Sequence, residues 1–382
     1  MFHACARLSM KIYTKSGKPN FCTYPFLGMA VISGGSMKPG CYTALVTPFS
    51  ENGETVDYEA LNRLVTFQIE NGITGILAVG TTGESPTLAW EEHHLVTEAV
   101  AQGTREKCLC IAGTGSNNTK ESIDATKHAV GVGADAVLLV DPYYNGPSSL
   151  EIRQEYIKPV ATRFPDTTII PYVIPGRTGA QLFPEDLALL FKNYPNVSTV
   201  KEATANIDNM RRTRACCGGD FTILSGDDGM TFQMMTDPTV NAAGVISVIT
   251  NIAPRTIGDM VKLLLDGNQA EAEKLKSALD PLFGLVTVTT EEQTDFGPVA
   301  CRARNPLGIK TLMSILGLPV GPCRQPLGKM SQNGIQKVVA AAKDVQQKNP
   351  QIWQPLADFF HVDVDERLNN PIYLEGLFYP EY

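Results

Sequence analysis

Lys201 lies inside "STVKEATAN" (Ser198 to Asn206), a stretch whose β-branched and apolar residues otherwise read as a buried strand. A buried ammonium is costly unless it is paired, neutralised or used. Desolvation lowers a lysine pKa and leaves a neutral amine that can attack a carbonyl. Other segments carry the partners such an attack needs. "GTTGESPT" presents Thr81 and Thr82 as paired hydroxyls on a glycine turn. "DPYYNGPS" holds Tyr143 and Tyr144, "PYVIPGRTG" holds Tyr172 and Arg177, and "SGDDG" holds Gly226 and Asp227. A tyrosine within hydrogen-bond reach can move protons, and an arginine offers a planar fork to a carboxylate. No His, Asp and Glu set at metal-ligand spacing accompanies them, since His93 and His94 are adjacent and face different ways on a helix. No metal is expected. Together these residues are the toolkit of a Schiff-base enzyme acting on a small oxo-acid. Each also has a purely structural reading: a strand-end Lys201 paired with Glu202, two packing tyrosines, a tight turn at "GTTGE", a type II turn with a solvated arginine at "GRTG".

The elements that must position these groups alternate from Gly40 onward. Short apolar runs ("CYTALVTP", "GILAVG", "CLCIAG", "AVLLVD", "TIIPYVI", "VSTVKEA", "FTILSG", "AGVISV") are followed by stretches of helical periodicity. In "TKESIDATKHAV" the expected buried face is Ile123, Thr126, Ala129 and Val130. Continuous hydrophobicity suits parallel strands covered on both sides. Eight such units match an α/β fold, a (β/α)8 TIM barrel, whose function sits on the loops after the strands. A doubly wound open sheet is the alternative, but the first strand ends in "TPFSENGE", which lacks the glycine-rich dinucleotide turn. "GTGSNN" lacks the Lys-Ser/Thr ending of a phosphate loop. The expected organisation is an extension over 1–36, a catalytic barrel over 37–266, an all-helical C-terminal region over 267–349, and an aromatic and acidic tail over 350–382 that docks on the body or on another subunit. Residues 1–36 contain no Asp or Glu and precede a second methionine, Met37. They read as an upstream start, a transit-like segment or a disordered arm.

The net charge of −8 argues against a nucleic-acid or anionic-membrane partner. No apolar run approaches the roughly 18 to 20 residues of a membrane-spanning helix. Nine cysteines without a dithiol or zinc spacing suggest reduced, mostly buried thiols in a cytoplasmic compartment, with organelle import as the variant if the extension is a transit segment.

The motifs "ALVTPF", "GTTGES", "AGTGSN", "PYYN", "YVIPGRTG", "KEATAN", "LSGDD" and "GVISV", in this order, closely resemble the dihydrodipicolinate synthase / N-acetylneuraminate lyase family of class I aldolases, over about Gly40 to Leu318. "NPLGIK" in the helical part is similar to another family motif. The resemblance implies that Lys201 forms a Schiff base with pyruvate and that Tyr172 is the acid/base beside it. It implies a proton relay through Thr82 and Tyr144, the latter entering a neighbouring subunit. The amides of Thr81 and Thr82 would hold the pyruvate carboxylate, and the backbone around Gly226 and Ile246 would line the pocket. Arg177, in the "P-x-R-T-G" turn, implies L-aspartate 4-semialdehyde as second substrate, and the Schiff-base scheme needs no cofactor. The shared tyrosine implies a homo-oligomer, by resemblance a tetramer of two tight dimers. An L-lysine inhibition site maps by resemblance onto Ser85, Trp90, His93, Asn117, Glu121 and Tyr143, where a carboxylate and an indole suit an ammonium. Val173 departs from the family's Asn after the strand-five tyrosine and leaves a pyruvate-dependent sugar-acid lyase as a rival. A non-catalytic oxo-acid-binding barrel is the rival from another class.

Overall fold

The computed structural model describes residues 35–382. The expectation for 1–36 therefore lies, except for its last two residues, outside the described residues. Eight parallel strands close into a barrel in sequence order: β1 Gly40–Ala44, β2 Gly75–Ala78, β3 Leu109–Gly113, β4 Ala136–Val140, β5 Thr168–Val173, β6 Thr199–Glu202, β7 Thr222–Ser225 and β8 Gly244–Ser247. The eight apolar runs are these eight strands. The barrel helices are α1 Tyr58–Glu70, α2 Trp90–Thr104, α3 Thr119–Val132, α4 Lys158–Arg163, α5 Pro184–Asn193, α6 Ile207–Cys217, α7 Thr231–Thr236 and α8 Pro254–Leu265. Their starts follow local chemistry. Asp57, Asn118 and Asn206 cap α1, α3 and α6 by accepting from backbone N–H groups two or three residues on. Gly133, at φ +93, closes α3 in a conformation that favours glycine. The buried face of α3 is Ser122, Ala125, Thr126 and Ala129, whereas Val130 is exposed. The expected face was rotated because small and hydroxyl residues, not the largest apolar ones, sit against the strands.

Strand alternation splits the core. Tyr42, Leu77, Ile111, Leu138, Ile170, Tyr172, Leu224 and Ile246 fill the barrel interior. Ile169, Val173, Val200 and Ile223 pack outward against helices. Val173 is thus buried in the helical layer, not beside the inner face that carries Tyr172.

Beyond α8 come α9 Gln269–Phe283, α10 Leu307–Ile315, α11 Gln332–Lys348, α12 Gln354–Phe360 and α13 Val364–Asn369. The region is not all-helical. An antiparallel hairpin, β9 Thr287–Thr294 and β10 Gly297–Arg304, interrupts it. Its β-branched, period-two pattern ("VTVTTEEQT") on either side of a short turn is the reason. The tail docks on the body: Trp353, Leu356, Phe360, Val364 and Leu368 join the core cluster that includes Cys41 and Leu316. Arg367 Nε donates to the Ile315 carbonyl at 2.7 Å. The seven cysteines of the described residues are unpaired, three of them buried, three partly exposed and Cys216 exposed. Among the described residues no helix is long and apolar enough to cross a membrane.

Candidate active site

Register brings the central pair together. Tyr172 on β5 lies opposite Lys201 on β6, and Lys201 lies opposite Leu224 on β7. Lys201 is 4% exposed, and its Nζ stands over the Tyr172 ring, 4.1 Å from the centroid. Burial lowers its pKa from 10.5 to about 7; the Asp228 carboxylate pulls it back up and the Arg177 guanidinium pushes it down. About half the amine is then neutral at pH 7. Lys201 forms no ion pair with Glu202, whose side chain accepts from the Thr204 N–H at 2.7 Å and Asn209 Nδ2 at 3.1 Å. The strand-end pairing is excluded, because successive residues of a strand face opposite sides.

Gly226 follows β7 directly against the lysine. A Cβ there would stand 2.9 Å from Ala203 Cβ, 3.0 Å from Lys201 Cγ and 3.1 Å from Lys201 Cε. The glycine is the space that the lysine stem occupies. Ile246, fully buried on β8, belongs to the same interior layer as Tyr172 and Leu224. Asp228 accepts from Ser247 Oγ and from the Val248 N–H at 2.9 Å, while burial raises its pKa to about 6. Of the "DD" pair it is the second residue whose charge acts on Lys201, whereas the sequence reading singles out Asp227.

Above Tyr172 opens a cavity of about 180 Å³, walled by Val79, Thr81, Ser85, Tyr143, Tyr172 and Arg177 among others. Lys201 is not on its wall; Tyr172 is the surface that amine and cavity share. Burial raises the Tyr172 pKa to about 12, against the opposing pull of Arg177 and of the Thr81 side chain. Thr82, the hydroxyl expected in the relay, has another partner. Thr82 is buried and its hydroxyl accepts from Asn305 Nδ2 at 3.0 Å. Two adjacent threonines in a turn cannot both point at one tyrosine. Arg177 sits on a single helical turn, Pro175–Thr178, closed by Gly179 at φ +69, and not on a type II turn. Its Nη1 lies 3.5 Å from the Asn305 carbonyl, and burial lowers its pKa.

Backbone strain concentrates here. Val79, Glu84 and Tyr144 all adopt positive φ, at +48, +56 and +99. For a β-branched valine this is a costly conformation. Nothing in "GILAVG" signalled it. Tyr144 is 93% exposed and does not line the cavity, whereas Tyr143 does. The turn that carries the threonines is anchored from behind. Glu84 forms a buried ion pair with Lys310 at 2.8 Å, and Lys310 Nζ also donates to the Thr47 and Pro322 carbonyls. Lys310 is the last residue of "NPLGIK".

The residues mapped to a lysine site do not share one pocket in this chain. Ser85 lines the first cavity. Asn117 lines a second of about 300 Å³, and Tyr143 stands between the two. Burial and Glu121 raise the Tyr143 pKa. Glu121 accepts from Ser116 Oγ at 2.5 Å. Trp90 and His93 rings lie 5.0 Å apart, and burial lowers the His93 pKa to about 4. Among the described residues no three His, Cys, Asp or Glu side chains gather in a way that could hold a metal ion.

Fold and site together define a (β/α)8 barrel built around a desolvated lysine, with a tyrosine and an arginine lining the cavity at its mouth. The chain belongs to the dihydrodipicolinate synthetase family, whose model matches residues 37–345. It is 42% identical to a 4-hydroxy-tetrahydrodipicolinate synthase of Sulfurihydrogenibium sp. over 302 residues, 78% of this chain and 95% of the relative. The corresponding enzyme of Methanocaldococcus jannaschii is 38% identical, over 78% of this chain and 94% of its own length. Solved dihydrodipicolinate synthases superpose at the same level. The Aquifex aeolicus structure gives a TM-score of 0.73 at 36% identity, covering 83% of this chain and 99% of that one. The Cyanidioschyzon merolae structure, with lysine bound, gives 0.73 at 34%, covering 80% and 98%.

Proposed function

We propose that this chain is a 4-hydroxy-tetrahydrodipicolinate synthase that joins pyruvate to L-aspartate 4-semialdehyde. The observation that carries the reading is Lys201 buried over the Tyr172 ring with its pKa at about 7. The neutral amine attacks C2 of pyruvate, and water leaves as the imine forms. Tyr172, with Thr81, delivers and removes the protons of these steps. Loss of a methyl proton gives the enamine, which attacks the aldehyde carbon. Arg177 holds the carboxylate of that second substrate in a planar fork. The substrate amine then displaces Lys201 by transimination, which closes the ring and frees the enzyme. The pyruvate carboxylate is held by the turn at Thr81 and Thr82. No cofactor enters this scheme.

Tyr144 completes the relay from a neighbouring subunit; its near-total exposure and strained backbone support this role, and a tetramer of two tight dimers is the assembly we propose. L-Lysine would inhibit by binding near Tyr143, Glu121 and Trp90, with Ser85, His93 and Asn117 around them. The lysine-bound Cyanidioschyzon merolae structure supports this extension. An unchanged initial rate at millimolar lysine would remove it.

The test is pyruvate-dependent condensation coupled to NADPH oxidation by the next reductase. Turnover that vanishes in Lys201→Ala establishes substrate and nucleophile together. A borohydride-trapped pyruvate adduct on Lys201 without turnover would point to a sugar-acid lyase. Val173 no longer favours that rival, since it packs in the helical layer. Absence of any adduct would leave the non-catalytic oxo-acid-binding barrel.

A further inference from the structure

The chemistry above uses one cation at the mouth, Arg177. Two more stand beside it, on the β9–β10 hairpin and not on the barrel. Arg304, the last residue of β10, donates from Nη1 to the Gly176 carbonyl at 3.1 Å, one residue before Arg177. Arg177 reaches back with its own Nη1 to the carbonyl of Asn305, one residue after Arg304. The base of the hairpin and the Arg177 turn are thus tied to each other from both sides. Arg302 lies two residues earlier on β10, hence on the same face as Arg304. Arg302 is exposed and Arg304 partly so.

Among the described residues neither Arg302 nor Arg304 makes an ion pair, and the nearest carboxylate on the facing strand, Glu291, lies opposite Ala300. Across the hairpin, Arg302 faces Thr289 and Arg304 faces Thr287, both neutral. Among the described residues only Arg153, Arg211, Arg212 and Arg324 have a carboxylate within ion-pair distance, and Arg177, Arg302 and Arg304 are among those that have none. Arg302 and Arg304 also act on Arg177 through space, adding like-charge repulsion to the burial that already lowers its pKa. Three guanidiniums with no ion-pair partner among the described residues repel one another, and an anion placed among them relieves that repulsion. They stand at the rim of a concave site, where such a field concentrates anions and raises association rates. Guanidinium forks suit carboxylates in particular.

We propose that Arg302 and Arg304 form an outer carboxylate-docking site at the barrel mouth, which captures small carboxylates and passes them inward to Arg177. The inference rests on the reading that the cavity takes small carboxylates such as pyruvate. It makes the hairpin a specificity element: substrates with a net negative charge, or a second carboxylate, gain most from it.

The experiment measures the second-order rate of pyruvate adduct formation, trapped with borohydride, against ionic strength, so that it does not depend on the second substrate. Arg302→Gln/Arg304→Gln should lower this rate about three- to tenfold at low salt. The gap should close at about 0.5 M salt, where screening shortens to a few ångströms. Arg302→Lys/Arg304→Lys should keep most of the wild-type rate, and succinate should compete more weakly in the Gln variant than in wild type. Superposable salt profiles and equal succinate inhibition would overturn the proposal. An equal loss in Gln and Lys variants at every salt concentration would overturn it too, by showing that Arg304 serves only to hold the Gly176 carbonyl. Salt-dependent trapping without turnover of L-aspartate 4-semialdehyde would keep the docking site and sink the substrate assignment. Should wild type form no adduct, calorimetric titration with succinate decides: binding weakened in the Gln variant supports the site, and equal binding refutes it.

Discussion

Replacing Lys201 by methionine should make the protein more stable at neutral pH while abolishing its pyruvate adduct. The drop in pKa from 10.5 to about 7 comes chiefly from burial. It means that the fold disfavours the ammonium by about 5 kcal/mol, at about 1.4 kcal/mol per unit. The unfolded chain keeps the proton that the folded protein gives up. Folding at pH 7 therefore carries a penalty of about 4 kcal/mol from this one group. Between pH 7 and about 10.5 the unfolded state binds more protons, so wild-type stability rises with pH through this window; below pH 7 the penalty is full. Methionine has a similar unbranched stem, no charge, and apolar neighbours in Leu224, Ile246 and Ala203. Part of the gain is lost because Asp228 loses the positive charge that it attracts, although Ser247 and Val248 still donate to it. A net stabilisation of about 2 to 4 kcal/mol is expected at pH 7, shrinking towards zero near pH 10. Urea unfolding of both proteins at the two pH values, followed by circular dichroism, measures it. A variant no more stable than wild type at pH 7, or an advantage that persists unchanged at pH 10, would refute the claim that burial deprotonates Lys201.

Tyr172→Phe should keep the fold and lower kcat by about 10² to 10⁴, the usual loss of a positioned acid/base, read in the coupled assay. Gly226→Ala drives a methyl into the Lys201 stem; a displacement of this order should slow borohydride-trapped adduct formation by about 10²-fold, and the overpacking should also cost about 1 to 3 kcal/mol of stability, read by denaturant unfolding. Lys310→Met strips the buried Glu84 of its ion-pair partner and leaves it the Arg324 N–H at 2.8 Å. It should destabilise by about 3 to 5 kcal/mol, measured by denaturant unfolding, and Glu84→Gln/Lys310→Met should recover much of that loss. The trapping rate of wild type should rise from acid pH with an inflection near 7, the value at which the Lys201 amine becomes neutral; an inflection near 10 would contradict the desolvated lysine.

The residues themselves determined the eight strands, since continuous apolar runs bounded by turn residues have few other homes. They also determined that a lysine, a tyrosine and an arginine stand at strand ends, because types and positions in a strand–helix repeat can be read directly. Direction and distance could not be read. That Thr81 and not Thr82 acts on the Tyr172 pKa, and that Asp228 rather than Asp227 acts on that of Lys201, depends on backbone torsions in turns whose neighbours are chemically equivalent. The strained Val79 has no local signal, because it is held by packing around it. Val173 drew attention as an unexpected side chain, yet strand alternation turns it to the helical layer. The Glu84–Lys310 pair joins residues 226 apart in sequence, and the three arginines meet only because a hairpin folds back onto the turn after β5. Local propensity and periodicity act over a few residues. Desolvation, ion pairing and repulsion act through space, so the chain's order determined which groups were present and closure of the barrel decided which of them interact.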